Sequence, residues 1–191
     1  MTKSNHQDYL RVSDDRHLVF RPVDQDATKF DVLRFERQRY DPDTIQKVSQ
    51  TIRQKLKPSF LSRDIVKKYP DGHTRWNRPL FGYCVPSSFA LLFLIDTDRL
   101  HPMTGSDPEG ENHWWIEDMD TGDRYDPTSD QYSPDEQEFV YRSGKPKRLY
   151  SFQGRPQKRV LDLISTVQPD ATRYTTDDLN QDVSSLEGFL T

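Results

Sequence analysis

The strongest apolar pattern in the chain is a run of seven residues at 89–95, Phe-Ala-Leu-Leu-Phe-Leu-Ile. It follows Cys84, Val85, Pro86 and two serines. Because proline fits only the first turn of a helix, Pro86 places a helix start close to Cys84. A helix that is apolar on nearly all sides is buried, so we expect this one at the centre of the core.

Apolar residues at helical spacing predict two further helices. One covers 44–57 and ends before Pro58, and the other covers 159–167. A short helix is also expected at 61–69. The apolar faces of the two longer helices consist of Ile45, Val48, Ile52 and Leu56, and of Val160, Leu163, Ile164 and Val167.

Extended segments are predicted on both sides of the apolar helix. Residues 1–40 are expected to form short extended pieces, and two hairpins are expected downstream. Between them, 96–110 is predicted as an acidic loop that forms a rim or lid. The predicted strands lie at 17–23, 30–35, 112–118, 122–126, 139–142 and 148–152.

Composition narrows the class of protein. The chain has 191 residues with a mean hydropathy of −0.95 and no apolar run long enough to cross a membrane. A single cysteine excludes an internal disulfide. The first residues lack the apolar region of a signal peptide, so a cytoplasmic location is expected. No zinc-ligand spacing and no glycine-rich phosphate loop occur, so neither a metal nor a cofactor is expected.

Charge is strongly segregated along the chain. Residues 34–78 contain twelve basic and five acidic residues, 96–138 contain two and fourteen, and 139–161 contain seven and none. One interpretation is that these segments face each other and neutralise one another. The other is that the acidic segment lines a site for a basic partner. Neither basic segment has a nucleic-acid-binding motif, so no nucleic acid is expected as a partner.

Cys84 is the candidate nucleophile. Free amides at a helix start and the helix dipole stabilise a thiolate, and the same amides are able to hold an oxyanion. Gly82 is expected to leave room for a substrate backbone. The alternative is that Cys84 is only a buried core residue, which is common for a free cysteine.

His113 and Asp126 are the candidate partners of Cys84. Strand alternation puts His113, Trp115 and Glu117 on one face. A turn centred on Thr121–Gly122 sets Asp126 opposite Glu117, whereas direct opposition to His113 requires a turn centred on Met119–Asp120. Both registers keep Asp126 on the His113 face. The alternative is that Asp126 belongs only to a turn and that His113 is a surface residue.

The words Gly82-Tyr83-Cys84, His113-Trp114-Trp115-Ile116-Glu117 and Tyr125-Asp126-Pro127-Thr128 occur in this order. The set resembles the papain-like cysteine-hydrolase superfamily, and in particular its small transglutaminase-like and YunG-like members, over residues 76–132. The resemblance implies an α+β fold with a nucleophile helix packed on an antiparallel sheet. It also implies Cys84 as nucleophile, His113 as general base and then acid, and Asp126 as the residue that orients the imidazole.

One feature of the resembling families is missing here. Many members have an amide side chain a few residues before the cysteine to complete the oxyanion hole. In this chain the nearest amide is Asn77, seven residues upstream. Asn77, Gly82, Tyr83 and Trp115 are therefore the candidates for the oxyanion hole and the substrate groove.

These observations give one domain and two candidate functions. The domain covers 1–167, with strands and helices at 1–70 and a catalytic core at 71–167, and a disordered tail is expected at 168–191. The first function is a cysteine-dependent hydrolase or acyl transferase (peptidase, deamidase or transglutaminase-like) that acts on amide bonds of a protein or peptide. The second is an inactive module of the same fold that binds a partner through its acidic surface.

Overall fold

The computed structural model describes residues 10–13, 16–22, 30–36, 38–95, 97–147 and 157–175. These residues form an α+β structure with two antiparallel sheets. Helices α1 to α5 cover Pro42–Lys55, Arg63–Lys68, Cys84–Ile95, Pro134–Arg142 and Lys158–Val167. Strands β1 to β8 cover Leu10–Ser13, Arg16–Pro22, Phe30–Glu36, Leu100–Ser106, Asn112–Asp118, Arg124–Tyr125, Lys145–Pro146 and Thr172–Thr175.

The apolar run forms the central helix, as predicted. Helix α3 begins at Cys84 and is buried along almost its whole length. It packs against α1 and α5, and also against β4 and β5 of the second sheet, whose strand order is β6-β5-β4-β7. A helix covered by partners on all sides has no polar face to present to water, which explains its sequence.

Helix α1 confirms the predicted apolar stripe. Ile45, Val48 and Ile52 are buried, while the helix ends one residue before Leu56. The side chain of Asp41 accepts a hydrogen bond from the Thr44 amide and caps the helix, which fixes its start. The predicted helices at 61–69 and 159–167 correspond to α2 and α5.

Two segments differ from their predicted structure. Within 96–110, the expected loop, residues 100–106 form strand β4, which pairs along its whole length with β5. Residues 139–142, an expected strand, belong to helix α4. This helix begins with a capping box, because the side chains of Ser133 and Glu136 each accept a hydrogen bond from the other residue's amide.

The predicted boundary after residue 167 is also wrong. Strand β8, Thr172–Thr175, pairs with β3 and completes the first sheet, whose order is β1-β2-β3-β8. Gln168 adds two hydrogen bonds to the backbone of Glu36. The expected strand at 148–152 and the end of the expected tail at 176–191 lie outside the described residues.

Two of the three charge segments, 34–78 and 96–138, neutralise each other, as the first of the two interpretations expects. Basic residues of 34–78 form ion pairs with carboxylates of 96–138. One of these pairs, Arg75 with Asp107 at 2.5 Å, is buried on both sides. The pairs are Arg53–Asp130, Lys68–Glu111, Arg75–Asp107, Arg75–Glu109, Arg78–Glu109 and Arg78–Glu136.

Within the described part of the chain, every helix is too short or too polar to span a membrane.

Candidate functional site

Cys84 occupies the first turn of α3. The carbonyl of Tyr83 accepts the first helical hydrogen bond, from the amide of Ser87 at 3.1 Å. The amides of Cys84 and Val85 therefore have no partner inside the helix. Only 8% of Cys84 is exposed, so the thiol lies in a nearly closed site at the end of a fixed helix.

His113 and Asp126 meet across strands β5 and β6. Ile116 pairs with Tyr125, and Glu117 pairs with Arg124. Continued by one residue, this register sets Asp126 across from Trp115. The two registers considered from the sequence set it across from Glu117 or His113, so the observed register lies between them. Asp126 thus lies diagonally from His113 on the same face, as predicted, and its Oδ2 is 2.6 Å from His113 Nε2.

The carboxylate of Asp126 receives four hydrogen bonds. Its Oδ1 accepts from the backbone amide of Thr128 at 2.9 Å and from the Thr128 hydroxyl at 3.0 Å. Its Oδ2 accepts from the Tyr141 hydroxyl at 2.8 Å and from His113 Nε2. Because both oxygens are fixed by donors, the carboxylate holds the imidazole in one orientation.

The third partner of the ring is the thiol. Cys84 lies close enough to His113 for its charge to help raise the pKa of the imidazole. Asp126 occupies Nε2, so a sulfur that reaches the ring meets it at Nδ1, which Gln131 Nε2 also approaches at 3.3 Å. The three side chains therefore follow one another in the order Cys84, His113, Asp126.

The surroundings favour a charged histidine. Burial opposes the charge on the ring, but the Asp126 carboxylate and Cys84 outweigh it and raise the pKa of His113 from 6.5 to about 10. Burial also opposes the charge on Asp126, yet His113, Thr128 and Tyr141 hold the pKa of that carboxyl below its ordinary value. The pair is therefore an imidazolium beside a carboxylate at neutral pH.

An amide side chain adjoins the thiol-facing side of the imidazole. Gln131 is 95% buried, and its Nε2 lies 3.3 Å from His113 Nδ1 and donates to the Thr128 carbonyl at 3.0 Å. A primary amide has two hydrogens, so one remains available on the His113 side. When Nδ1 carries a proton it no longer accepts, and this second N–H is free for another acceptor.

Aromatic rings enclose the imidazole. Tyr132 meets it edge to face, with ring centroids 4.9 Å apart, and Trp115 stacks behind it at 6.1 Å. Trp115 has no exposed surface, so the prediction that it lines a substrate groove is wrong. It packs with Val140 and Tyr141 in a second small core, where it supports the ring from behind.

The other groove candidates have different positions. Asn77 is exposed at the end of a short 3-10 helix. Among the described residues, no hydrogen bond joins Asn77 to Cys84, His113 or Asp126. The space beside Gly82 is filled, because a Cβ there would lie 2.9 Å from Leu61 Cδ2. Gly82 instead supplies a φ of +84° before the helix. Tyr83 is half-buried, and burial raises its pKa.

Sequence reasoning did not identify Gln131, Tyr132 or Tyr141. All three lie after Asp126, in a segment interpreted as a loop and a strand. The signal that would have found the helix carrying Tyr141 is the capping box Ser133-x-x-Glu136, preceded directly by Gln131 and Tyr132.

Comparisons of this chain with protein-family models, with curated proteins and with solved structures gave no match. Among the described residues, no group of three or more histidine, cysteine, aspartate and glutamate side chains is arranged to hold a metal ion. The chemistry of the site therefore has to be argued from its own geometry.

Proposed function

We propose that this protein is a cysteine-dependent hydrolase or acyl transferase that acts on amide bonds, with an α+β fold of the papain-like type. The observation that carries the proposal is the 2.6 Å contact of His113 Nε2 with Asp126, on a ring whose pKa is also raised by the neighbouring Cys84. This is the arrangement by which a base, oriented by a third group, activates a thiol.

In the first step, the Cys84 thiolate attacks the carbonyl carbon of the amide, and a carbon–sulfur bond forms. The carbonyl π electrons move to oxygen and give a tetrahedral oxyanion. His113, as imidazolium, donates its Nδ1 proton to the leaving nitrogen when the carbon–nitrogen bond breaks. The products of this step are an acyl-enzyme thioester and a free amine or ammonia.

In the second step, His113 takes a proton from an incoming nucleophile. Water gives a carboxylic acid and completes hydrolysis or deamidation, whereas an amine gives a new amide and completes transfer. The sulfur leaves as a thiolate, and the imidazolium forms again. Asp126 stays ionised throughout, because it accepts four hydrogen bonds and the pKa of its carboxyl is lowered.

The oxyanion is stabilised by donors at the start of α3. The free backbone amide of Cys84 is one donor. Gln131 is the second in this proposal, since its buried Nε2 lies 3.3 Å from His113 Nδ1. It replaces the upstream amide that the resembling families have and this chain lacks.

The alternative of an inactive module that binds a basic partner has less support. It was motivated by the missing amide before Cys84 and by the acidic segment 96–138, and nine carboxylates of this segment already pair with arginine or lysine side chains, as in Arg75–Asp107 and Arg99–Asp118. A substrate that is a protein or peptide is the remaining proposal for the partner.

The test is the pH dependence of Cys84 alkylation by iodoacetamide. An ordinary thiol reacts slowly at about pH 6, because only a small fraction is ionised there. We expect fast alkylation of the wild type at that pH, and a loss on the order of 100-fold in His113→Ala. Because the pKa of His113 is raised to about 10, the imidazolium beside Cys84 persists through neutral pH.

His101→Ala is the matched control, since His101 is an exposed histidine of the neighbouring strand. It should leave the profile unchanged. Alkylation of the wild type that begins only near about pH 8.5, with the same profile in His113→Ala, would reject the proposal.

A further inference from the structure

Arg159 lies near the nucleophile, on the helix that packs against α3. It belongs to the first turn of α5 and is half-buried. Its Nε donates to Gln157 Oε1 at 2.7 Å, and its Nη1 donates to the carbonyl of Phe60 at 3.5 Å. Among the described residues, its Nη2 donates to none. Within the described residues, one corner of this planar donor group is therefore without an acceptor.

Arg159 has no ion-pair partner among the residues that the structure describes. No carboxylate of the described residues lies within ion-pair distance of it, whereas its neighbour Lys158 and the more distant Arg173 both pair with Asp162. The sequence from 139 to 161 contains no acidic residue at all. A partly buried cation with no ion-pair partner within the described part of the chain is costly unless an anion occupies the site for part of the working cycle.

The charge of Arg159 acts at the proposed nucleophile. Burial lowers the pKa of Arg159, and the charges that oppose this effect are Cys84 first and Asp64 second. Phe60, which accepts from Arg159, precedes Leu61, and the Leu61 side chain touches Gly82 just before Cys84. These contacts place Arg159 near the start of α3.

We propose that Arg159 binds a carboxylate of the substrate beside the sulfur of Cys84. The preferred substrate is an amide with a carboxylate close to the carbonyl that Cys84 attacks. The carboxylate is not changed by the reaction; it pairs with the guanidinium and positions the carbonyl. This inference rests on the proposed function and adds the charge of the substrate to it.

The test compares two alkylating reagents of nearly equal size. Iodoacetate has a carboxylate where iodoacetamide has a neutral amide, and both react with the thiolate by displacing iodide. The measured quantity is the rate with iodoacetate divided by the rate with iodoacetamide, relative to the same ratio for 2-mercaptoethanol. We expect a ratio above that of 2-mercaptoethanol in the wild type and a loss of about tenfold in Arg159→Gln.

Lys158→Gln is the matched control. It removes one positive charge at the residue next to Arg159, and the Lys158 side chain pairs with Asp162. It should keep the wild-type ratio, and Arg159→Lys should give an intermediate value. A second measurement needs no variant: acetate should slow the iodoacetamide reaction of the wild type, and chloride at equal ionic strength should not.

The outcomes separate the inference from the proposed function. If alkylation by both reagents slows by the same factor in Arg159→Gln, Arg159 acts only on the thiolate, and the carboxylate site is rejected. A rate ratio that is unchanged in Arg159→Gln also rejects the carboxylate site. If Arg159→Gln does not fold, the absence of any acetate effect on the wild type rejects it instead. In both cases the proposed function is unaffected. If Cys84 reacts with iodoacetamide only as an ordinary thiol does, the proposed function is rejected, and the inference is rejected with it.

Discussion

At the residue scale, Asp126 is the best-fixed member of the site. Four donors surround its two oxygens, and two of them come from Thr128, only two residues along the chain. The Tyr141 hydroxyl comes from a helix and the imidazole from a strand. A carboxylate held in this way has no freedom to turn from His113, so the ring keeps its orientation without help from a substrate.

The sequence was sufficient to predict that His113 and Asp126 share a face. Side chains alternate along a strand, so any register that pairs residues of the right parity gives this result. It was not sufficient to predict the register itself, which depends on the turn at 119–123. Gln131 could not be predicted as a site residue either, because a short 3-10 helix after Asp126 returns it to the imidazole.

A variant of Gln131 tests the second oxyanion donor. We expect Gln131→Ala to slow acylation of Cys84 by p-nitrophenyl acetate by about 100-fold, since loss of one oxyanion donor costs about 10²–10³ in rate. Alkylation by iodoacetamide should change little, because that displacement forms no oxyanion. The rates of p-nitrophenol release and of alkylation provide the measurement.

Gln137→Ala is the control for this variant. Gln137 also donates through a side-chain amide to two backbone carbonyls, of Ser129 and Tyr132, but it lies on α4 away from the imidazole. Equal losses of acylation and alkylation in Gln131→Ala would mean that Gln131 acts by positioning His113, and would contradict the role as oxyanion donor.

At the element scale, strand β4 was misinterpreted because local propensity does not contain its packing contacts. Strand β4 contains Pro102 and Gly105, which local propensity assigns to a loop. Packing requires the small residue, because a Cβ at Gly105 would collide with the Val140 carbonyl and lie 3.2 Å from Trp115. Contacts with α4 therefore determine the structure of β4. These contacts involve residues distant in the chain, so the local sequence of β4 does not reveal them.

Substitution of Gly105 tests this close contact. We expect Gly105→Ala to destabilise the protein by about 1–3 kcal/mol, because the added methyl group meets the backbone of α4, which cannot move away without shifting the helix. Thermal unfolding gives the measurement. Since Trp115 also supports the imidazole, iodoacetamide alkylation at about pH 6 should slow as well.

Ser106→Ala is the control on the same strand, because Ser106 is exposed. It should unfold close to the wild-type temperature. A Gly105→Ala protein as stable as this control would show that α4 and β4 adjust to each other freely.

At the scale of the whole molecule, segregated charge along the sequence becomes paired charge in space. The basic segment 34–78 and the acidic segment 96–138 lie on either side of α3 in the chain and meet around the start of that helix. The buried pair Arg75–Asp107 is part of this contact, and the Tyr132 hydroxyl lies 3.5 Å from Asp107. Charge balance was one of two interpretations that the sequence allowed, and only distances between side chains distinguish them.

The first sheet joins distant parts of the chain, because β8 covers the open side of β3. A chain that stops after Gln168 would leave the backbone donors and acceptors of β3 without a neighbouring strand. Such an edge is a template for pairing with another molecule. We expect that shortened protein to form dimers or larger aggregates in size-exclusion chromatography with light scattering, whereas a chain that stops after Thr175 stays in the state of the full-length protein.

The same oligomeric state for both shortened proteins would contradict this expectation. If it holds, protection of the molecule from self-association depends on a four-residue strand that follows the last helix. Loss of those few residues by proteolysis would then affect solubility before it affected the thiol chemistry, which lies in the other sheet.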